Sequence, residues 1–247
     1  MSRENKYDDP VFFEKYSAFP RSVQGLEAAG EWHELRHMLP DLAGKCVLDL
    51  GCGFGWHCIY AAEQGAAHVT GVDISENMLA QARVKSADYD NITYVHSPIE
   101  DFTCPGESFD LVISSLAFHY IACFDHICKL VHTCLVPGGE FVFSVEHPVF
   151  TAQGRQEWVC DSDGATLYWP VSDYFFEGER EAVFLGERVK KYHRTLATYL
   201  SGLLEYGFEI TGLCEPTPPQ EMLDSNPEMR YELLRPMILL ISAKKPV

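Results

Sequence analysis

The stretch VLDLGCGFGWHCIYAA, residues 47–62, decides the fold. Val47 to Leu50 reads as a short buried strand that carries one acid. Glycines follow at 51, 53 and 55, and a helical pattern opens at once. Three readings compete for such a turn: a nucleotide site, a dinucleotide site, or a tight structural corner. The start of a helix exposes unpaired N–H groups and a partial positive charge. Glycines ahead of it let a ligand reach the backbone without meeting a Cβ. Asp73 stands 22 residues after Gly51, in GVDIS, at the end of the next strand-like run. A carboxylate in that place can accept both ribose hydroxyls of an adenosine. Strand, glycine turn, helix, strand and acid together are much more specific than glycines alone.

A dinucleotide turn needs its third glycine at position 56, where this chain has Trp56. Asp49 lies inside the strand, two residues before the turn, and a dinucleotide gains nothing from a buried acid there. A cation at the turn would gain. The turn is therefore read as the seat of a cationic adenosine compound.

Outward from this point, strand and helix alternate. Strands are expected at 46–51, 67–73, 92–96, 109–115 and 139–145, and helices at 55–64, 75–88 and 123–135. Asn91 and Pro137-Gly138-Gly139 mark loops. Short apolar runs such as Leu111-Val112-Ile113 suit a parallel sheet covered on both faces. Residues 1–43 form a preamble rich in aromatics, with a helix expected from Gly25 to Met38 and stopped by Pro40. After Pro148 the rhythm breaks into an aromatic-rich insertion, 149–192. A helix from Tyr192 to Tyr206 and strands at Phe208–Cys214 and Met237–Ser242 complete the chain. The expected organisation is one domain over residues 1–247, with its core in 44–148 and 193–247.

Composition narrows the function. The 247 residues carry a net charge of −17, which argues against a nucleic-acid or anionic-membrane surface. No apolar run is long enough to span a bilayer, and the polar N-terminus lacks a signal-peptide core. Nine cysteines without a CxxC pair read as reduced, mostly buried thiols of a cytoplasmic protein, with no metal site. A monomer and a homodimer both remain open.

The segments VLDLGCGFG, GVDIS, FDLVISS and LVPGGEFVFS resemble the successive motifs of class I S-adenosylmethionine-dependent methyltransferases. More narrowly they are similar to the small-molecule group related to ubiquinone and menaquinone methyltransferases, type 11. The resemblance covers residues 44–147 closely and 193–247 loosely. It implies a doubly wound, Rossmann-like α/β fold whose seven-stranded sheet is mostly parallel with the last strand antiparallel, and S-adenosyl-L-methionine as cofactor. Asp49, Gly51 and Gly53 would line the methionine end, and Gly55, with the backbone N–H of Cys52, belongs to the same cofactor-binding turn. Asp73 would take the ribose, and Ile74 and Met78 the adenine. Pro98 occupies the family's usual acid position, so the Ile99 amide and the Glu100 carboxylate are expected to replace it. The Ser114 carbonyl would meet the methionine amino group.

Methyl transfer from a sulfonium is an in-line displacement that expels a neutral group, so alignment and water exclusion carry most of the catalysis. A base is needed only where the acceptor must lose a proton. Acceptors bind beyond the carboxyl ends of the strands. His119 follows the fourth strand and His147 the fifth, and both are candidate bases. His193 and Tyr192 are further candidates for the same cleft. Tyr16 and Arg21, in YSAFPRS, are placed to reach the cofactor's carboxylate. The aromatics of the insertion suit either a flat acceptor held by stacking or a satellite core. The expected reaction is methyl transfer to a small molecule through an oxygen, nitrogen or carbon nucleophile. Its rivals are a dinucleotide-dependent oxidoreductase and a cofactor-binding regulatory protein without turnover.

Overall fold

The computed structural model describes residues 5–247. Asp9 opens the first helix, α1 (Pro10–Ser17), by accepting the Val11 and Phe12 amides on its carboxylate. Of the helix expected over 25–38, only the second half is α-helical, and a separate short helix precedes it. α2 (Pro20–Gln24) ends where Gly25 takes a left-handed φ of +72°, and α3 (Trp32–Met38) starts after a 3-10 turn at Gly25–Ala28. The Trp56 ring lies so close to Gly25 that a Cβ there would sit 3.0 Å from it. Periodicity alone could not show that contact.

The alternating region follows the expected order: β1 (Cys46–Leu50), α4 (Trp56–Glu63), β2 (His68–Asp73), α5 (Glu76–Lys85), β3 (Ile92–His96), β4 (Phe109–Ser115), α6 (Phe124–Cys134) and β5 (Leu135–Glu146). Pro137-Gly138-Gly139 lies within β5, across a register irregularity against β4, rather than in a loop before it. The insertion holds α7 (Pro148–Ala152) and two hairpins, β6 (Val159–Cys160) with β7 (Thr166–Tyr168) and β8 (Gly178–Phe184) with β9 (Glu187–His193). α8 (Leu196–Glu205), β10 (Glu209–Cys214), α9 (Gln220–Ser225) and β11 (Ile238–Lys244) complete the chain. Tyr192 and His193 belong to β9. The expected helix starts later, where the Thr195 hydroxyl accepts the Thr198 amide.

The main sheet has seven strands in the order β10-β11-β5-β4-β1-β2-β3, and β11 runs antiparallel to both its neighbours. Side chains alternate strictly between two cores. Leu48, Val112, Phe141, Phe143 and Ile241 face α6 and α8, while Val47, Leu111, Ile113, Val142 and Leu240 face α3, α4 and α5. Both faces are dry, which is why these strands read as continuous apolar runs.

Phe150, Trp158 and Trp169 of the insertion pack in a satellite core, whereas Phe175 and Phe176 are exposed and Phe184 lines the cavity described below. Phe150 and Trp169 stack at 5.1 Å, with Trp158 edge-on, and none of the three faces the cavity described below. Cys104 and Cys134 are joined in a disulfide, against the expectation of thiols throughout. Cys123 and Cys160 are exposed. Among the described residues no helix is long and apolar enough to cross a membrane.

Gly55 opens α4 at φ +76°, and a Cβ there would overlap the Tyr94 hydroxyl. A left-handed residue with a side chain costs roughly 1–2 kcal/mol before any clash. Gly55→Ala is expected to lower unfolding free energy by at least about 2 kcal/mol in urea titration.

Candidate active site

Parallel pairing of β1 with β2 sets Asp49 opposite Gly71 and Leu50 opposite Val72, so both strands end together. The Gly51 and Cys52 amides donate to the Val72 carbonyl at 2.8 and 3.0 Å. The Gly53 amide donates to Asp73 Oδ2 at 2.9 Å, and the Ser75 amide to Asp73 Oδ1 at 2.9 Å. One carboxylate thus ties the turn before α4 to the turn before α5. Burial raises the Asp73 pKa, and its amide bonds oppose that shift. Gly51 has φ +78°, and a Cβ there would come within 2.5 Å of Ala117 Cβ, so only glycine fits.

Asp49 lies behind this turn and is fully buried. Its Oδ2 accepts from the Cys58 thiol at 3.4 Å, and its Oδ1 has no hydrogen-bond partner. Burial pushes its carboxyl up to about 7, and the Asp73 charge adds to the shift. It holds none of the turn amides, which go to Val72 and Asp73 instead.

A cavity of about 660 Å³ opens in front of the turn, within the size range of small-molecule sites. Gly51, Gly53 and Asp73 form one side, and Ile74, Met78, Ile99 and Glu100 continue it. Tyr16 and Arg21 reach it from the preamble. Arg21 Nη2 pairs with Glu31 Oε1 at 2.5 Å and donates to Ser115 Oγ at 2.9 Å.

Asp49, Cys52, Gly55, Ser114 and His147 do not line the cavity. Strand alternation turns Ser114 inward, where its hydroxyl donates to the Leu50 carbonyl at 2.7 Å, and Ser115 faces the cavity in its place. His147 is buried as the N-cap of α7. Its Nδ1 accepts the Val149 amide at 3.0 Å, and its Nε2 lies 2.8 Å from Glu215 Oε1. His193 is likewise buried, held by Thr151 and the Tyr174 carbonyl, whereas Tyr192 lines the cavity.

The end of the cavity away from Asp73 carries a polar cluster that sequence reasoning missed. Lys191 Nζ, almost fully buried, lies 2.6 Å from Glu146 Oε1 and 3.2 Å from Gln156 Oε1. Gln156 Nε2 donates to Glu146 Oε2 at 2.9 Å. The Glu146 amide points at His119 Nδ1, 3.4 Å away. Burial pushes the His119 pKa down to about 4, although Glu146 works the other way. The Glu146 carboxyl is held below the usual range by His119 and Lys191 against its own burial. Pairing along the sequence gave no hint of Lys191. The place of Glu146 at the end of the fifth strand, beside His147, could have drawn notice.

These residues fit S-adenosylmethionine. A glycine turn, with no room for a Cβ at Gly51 and a positive φ at Gly53, stands beside a strand-end carboxylate with lone pairs left for hydroxyls, apolar side chains flank it, and a second buried acid lies behind.

Comparison with known proteins agrees. Residues 47–139 match a family model described as a methyltransferase domain. A Listeria monocytogenes crystal structure assigned as an S-adenosylmethionine-dependent methyltransferase is 56% identical and superposes with a TM-score of 0.85, over 90% of this chain and 100% of that one. An S-adenosylmethionine-dependent methyltransferase from Mesorhizobium loti is 44% identical with a TM-score of 0.83, over 89% and 100%. Two curated relatives match less of the chain. A tRNA U34 carboxymethyltransferase of Hahella chejuensis is 35% identical over 56% of this chain and 47% of its own. A demethylmenaquinone methyltransferase of Listeria welshimeri is 36% identical over 52% and 58%. The chain spans about half the length of each of these two.

Asp49 binds its proton more tightly in the folded chain than in an unfolded one, where aspartate titrates near 3.9. Its contribution to stability is complete below that value and is lost as pH rises through about 7. Asp49→Asn is therefore expected to gain melting temperature relative to the parent between about pH 5 and about pH 8. A constant gap over that range would show that the carboxyl is not desolvated in this way.

Proposed function

We propose that this chain, which belongs to the S-adenosylmethionine-dependent methyltransferase family, methylates a small, largely apolar acceptor that carries an oxygen, nitrogen or carbon nucleophile. The observation that carries this reading is one cavity with two unlike ends. The glycine turn and Asp73 form one end, and His119 and Glu146 stand at the other among Val189, Met237 and Ile238.

The cofactor supplies an electrophilic methyl group on a sulfonium whose departure leaves a neutral thioether. Asp73 would accept the ribose hydroxyls on lone pairs that the Gly53 and Ser75 amides leave unused. Ile74, Met78 and Ile99 pack the adenine. The Ile99 amide and Glu100 meet its edge, and Arg21 and Tyr16 face the methionine end. Asp49, behind the turn, is a buried carboxyl whose ionised form a nearby cation would favour.

His119 acts here as a donor rather than the expected base. Its Nδ1 faces the Glu146 amide and must accept, so the neutral ring carries its proton on Nε2. That N–H orients the acceptor. The Glu146 carboxylate, fixed by Lys191 and Gln156, keeps lone pairs for an acceptor N–H or O–H. His147 makes no contact with the reacting atoms in this reading.

Charge favours a small acceptor over tRNA. The net charge is −17, and of the four lysines and arginines that line the cavity, Arg21, Lys190 and Lys191 are each paired with a carboxylate. Polynucleotide binding needs clustered cations free to neutralise phosphates. Seven of the nine cysteines are unpaired, which suits a cytoplasmic setting, and the Cys104–Cys134 disulfide counts against it.

Labelled methyl transfer from S-adenosylmethionine to a panel of phenols, hydroquinones and amines tests the reading, with bulk tRNA as the competing acceptor. Label in tRNA with every small molecule silent would overturn it. Asp73→Ala is expected to weaken cofactor binding by at least about 1.5–3 kcal/mol in calorimetry, the range for a hydrogen bond to a charged group. His119→Ala is expected to lower kcat/KM by about 10–100-fold with cofactor affinity intact, and His119→Gln to recover part of it. The rate should show no histidine ionisation between about pH 6 and about pH 8, since His119 stays neutral there.

A further inference from the structure

β10 ends at Cys214, β11 begins at Ile238, and the two pair directly, with Cys214 opposite Leu240. A hairpin needs only about 2–5 residues for such a connection. Here residues 215–237 leave the sheet as a strap containing α9 and a 3-10 turn at Pro227–Leu234. The strap brings Pro216, Pro218, Met229, Glu232 and Met237 to the cavity wall.

Its pattern of burial is inverted. Leu233 and Leu234 are 50% and 59% exposed, whereas Arg235 is only 8% exposed. The Arg235 guanidinium lies 4.5 Å from the Phe150 ring, 4.6 Å from Trp169 and 5.1 Å from Trp158. Its Nη1 donates to Glu232 Oε2 at 2.7 Å. A planar, delocalised cation suits such a box, because it can lie against aromatic faces and still pair with a carboxylate. The box belongs to α7 and the insertion, so Arg235 fastens the strap to a separate part of the chain. At the base of the strap, His147 holds both roots, the second of them close to Arg235 in sequence. Its Nε2 meets Glu215 Oε1 at 2.8 Å, and its backbone amide donates to the Met237 carbonyl at 2.8 Å.

We propose that residues 215–237 are the lid of the acceptor chamber, latched by Arg235 in the Phe150–Trp158–Trp169 box and rooted at His147. Both residues position the chamber wall through the strap and do not touch the reacting atoms. Seated, the strap closes the acceptor end against water. Released, it opens a route to Glu146 and His119 that avoids the cofactor's end. The proposal rests on the reading of that end as the acceptor's.

Hydrogen–deuterium exchange on the full chain, saturated with S-adenosylhomocysteine, tests it. In Arg235→Ala and Arg235→Lys, amides of residues 220–236 should exchange about tenfold faster or more, while those of β1 and β4 keep their protection. Affinity for S-adenosylhomocysteine should stay within about threefold of the parent, because the strap leaves the glycine turn alone. Trp158→Phe should keep the parent exchange and Trp158→Ala should lose it, since the ring face is what the cation needs. Unchanged strap exchange in both Arg235 variants would overturn the latch. So would protection lost throughout the chain in both Arg235→Lys and Trp158→Ala, which would make the box a plain part of the core. The methyl-transfer panel is a separate readout. A strap that loosens on a chain that methylates no small molecule supports the latch and faults only the acceptor reading.

Discussion

One carboxylate organises the centre of this molecule. Asp73 receives the Gly53 amide on one oxygen and the Ser75 amide on the other. The first bond fixes the turn that opens α4, and the second fixes the turn that opens α5. Both depend on the parallel register of β1 and β2, which brings the two strand ends level. The cavity takes its shape from this convergence, since Gly51, Gly53, Ile74 and Met78 all hang from the two turns. Burial works against the negative charge while the amides support it, so the carboxylate stands ready for further donors from a ligand.

The same economy of charge governs the far end. Lys191 and Glu146 satisfy each other, and Gln156 bridges them, so the wall is polar without presenting a lone ion. A buried pair of this kind adds little net stability but fixes geometry firmly. That suits a displacement in which the leaving group needs no proton and the main demands are direction and dryness. The family relation settles the donor, and the neutral, half-apolar wall is what speaks for a modest organic acceptor.

The sheet was legible because its strands are short apolar runs and its turns carry glycine and acid at fixed spacing. Asp73, Ile74 and Met78 could be named for the same reason. Other features depend on contacts between distant segments. Gly25 ends α2 at a positive φ, and the Trp56 ring packed against it lies outside any window around residue 25. Ser114 and Ser115 differ by one step of strand alternation, so the Ser114 hydroxyl turns inward to the Leu50 carbonyl while Ser115 lines the cavity; the expectation for Ser114 concerned its carbonyl, which side-chain direction leaves untouched. His147 looked like a partner of His119 because both follow strand ends, yet it points away and caps a helix. The aromatics of the insertion were visible as a composition. Their occupant, Arg235, comes from the last connection of the chain, and its burial beside two exposed leucines contradicts every hydropathy rule.

The preamble bears on the adenosine side through a single acid. Asp8 Oδ1 accepts from the Ser75 hydroxyl at 2.5 Å and from the Asn77 amide at 3.2 Å, while the Ser75 oxygen itself caps the Met78 amide. Residues 5–9 therefore cannot lift away without stripping partners from the first turn of α5, the turn that carries Met78. Doorway and floor are mechanically one piece: loosening the entrance also unsettles the surface on which the base would lie. Displacing Asp8 would strip two donors of their acceptor at the start of α5, while the Ser75 oxygen would still cap the Met78 amide.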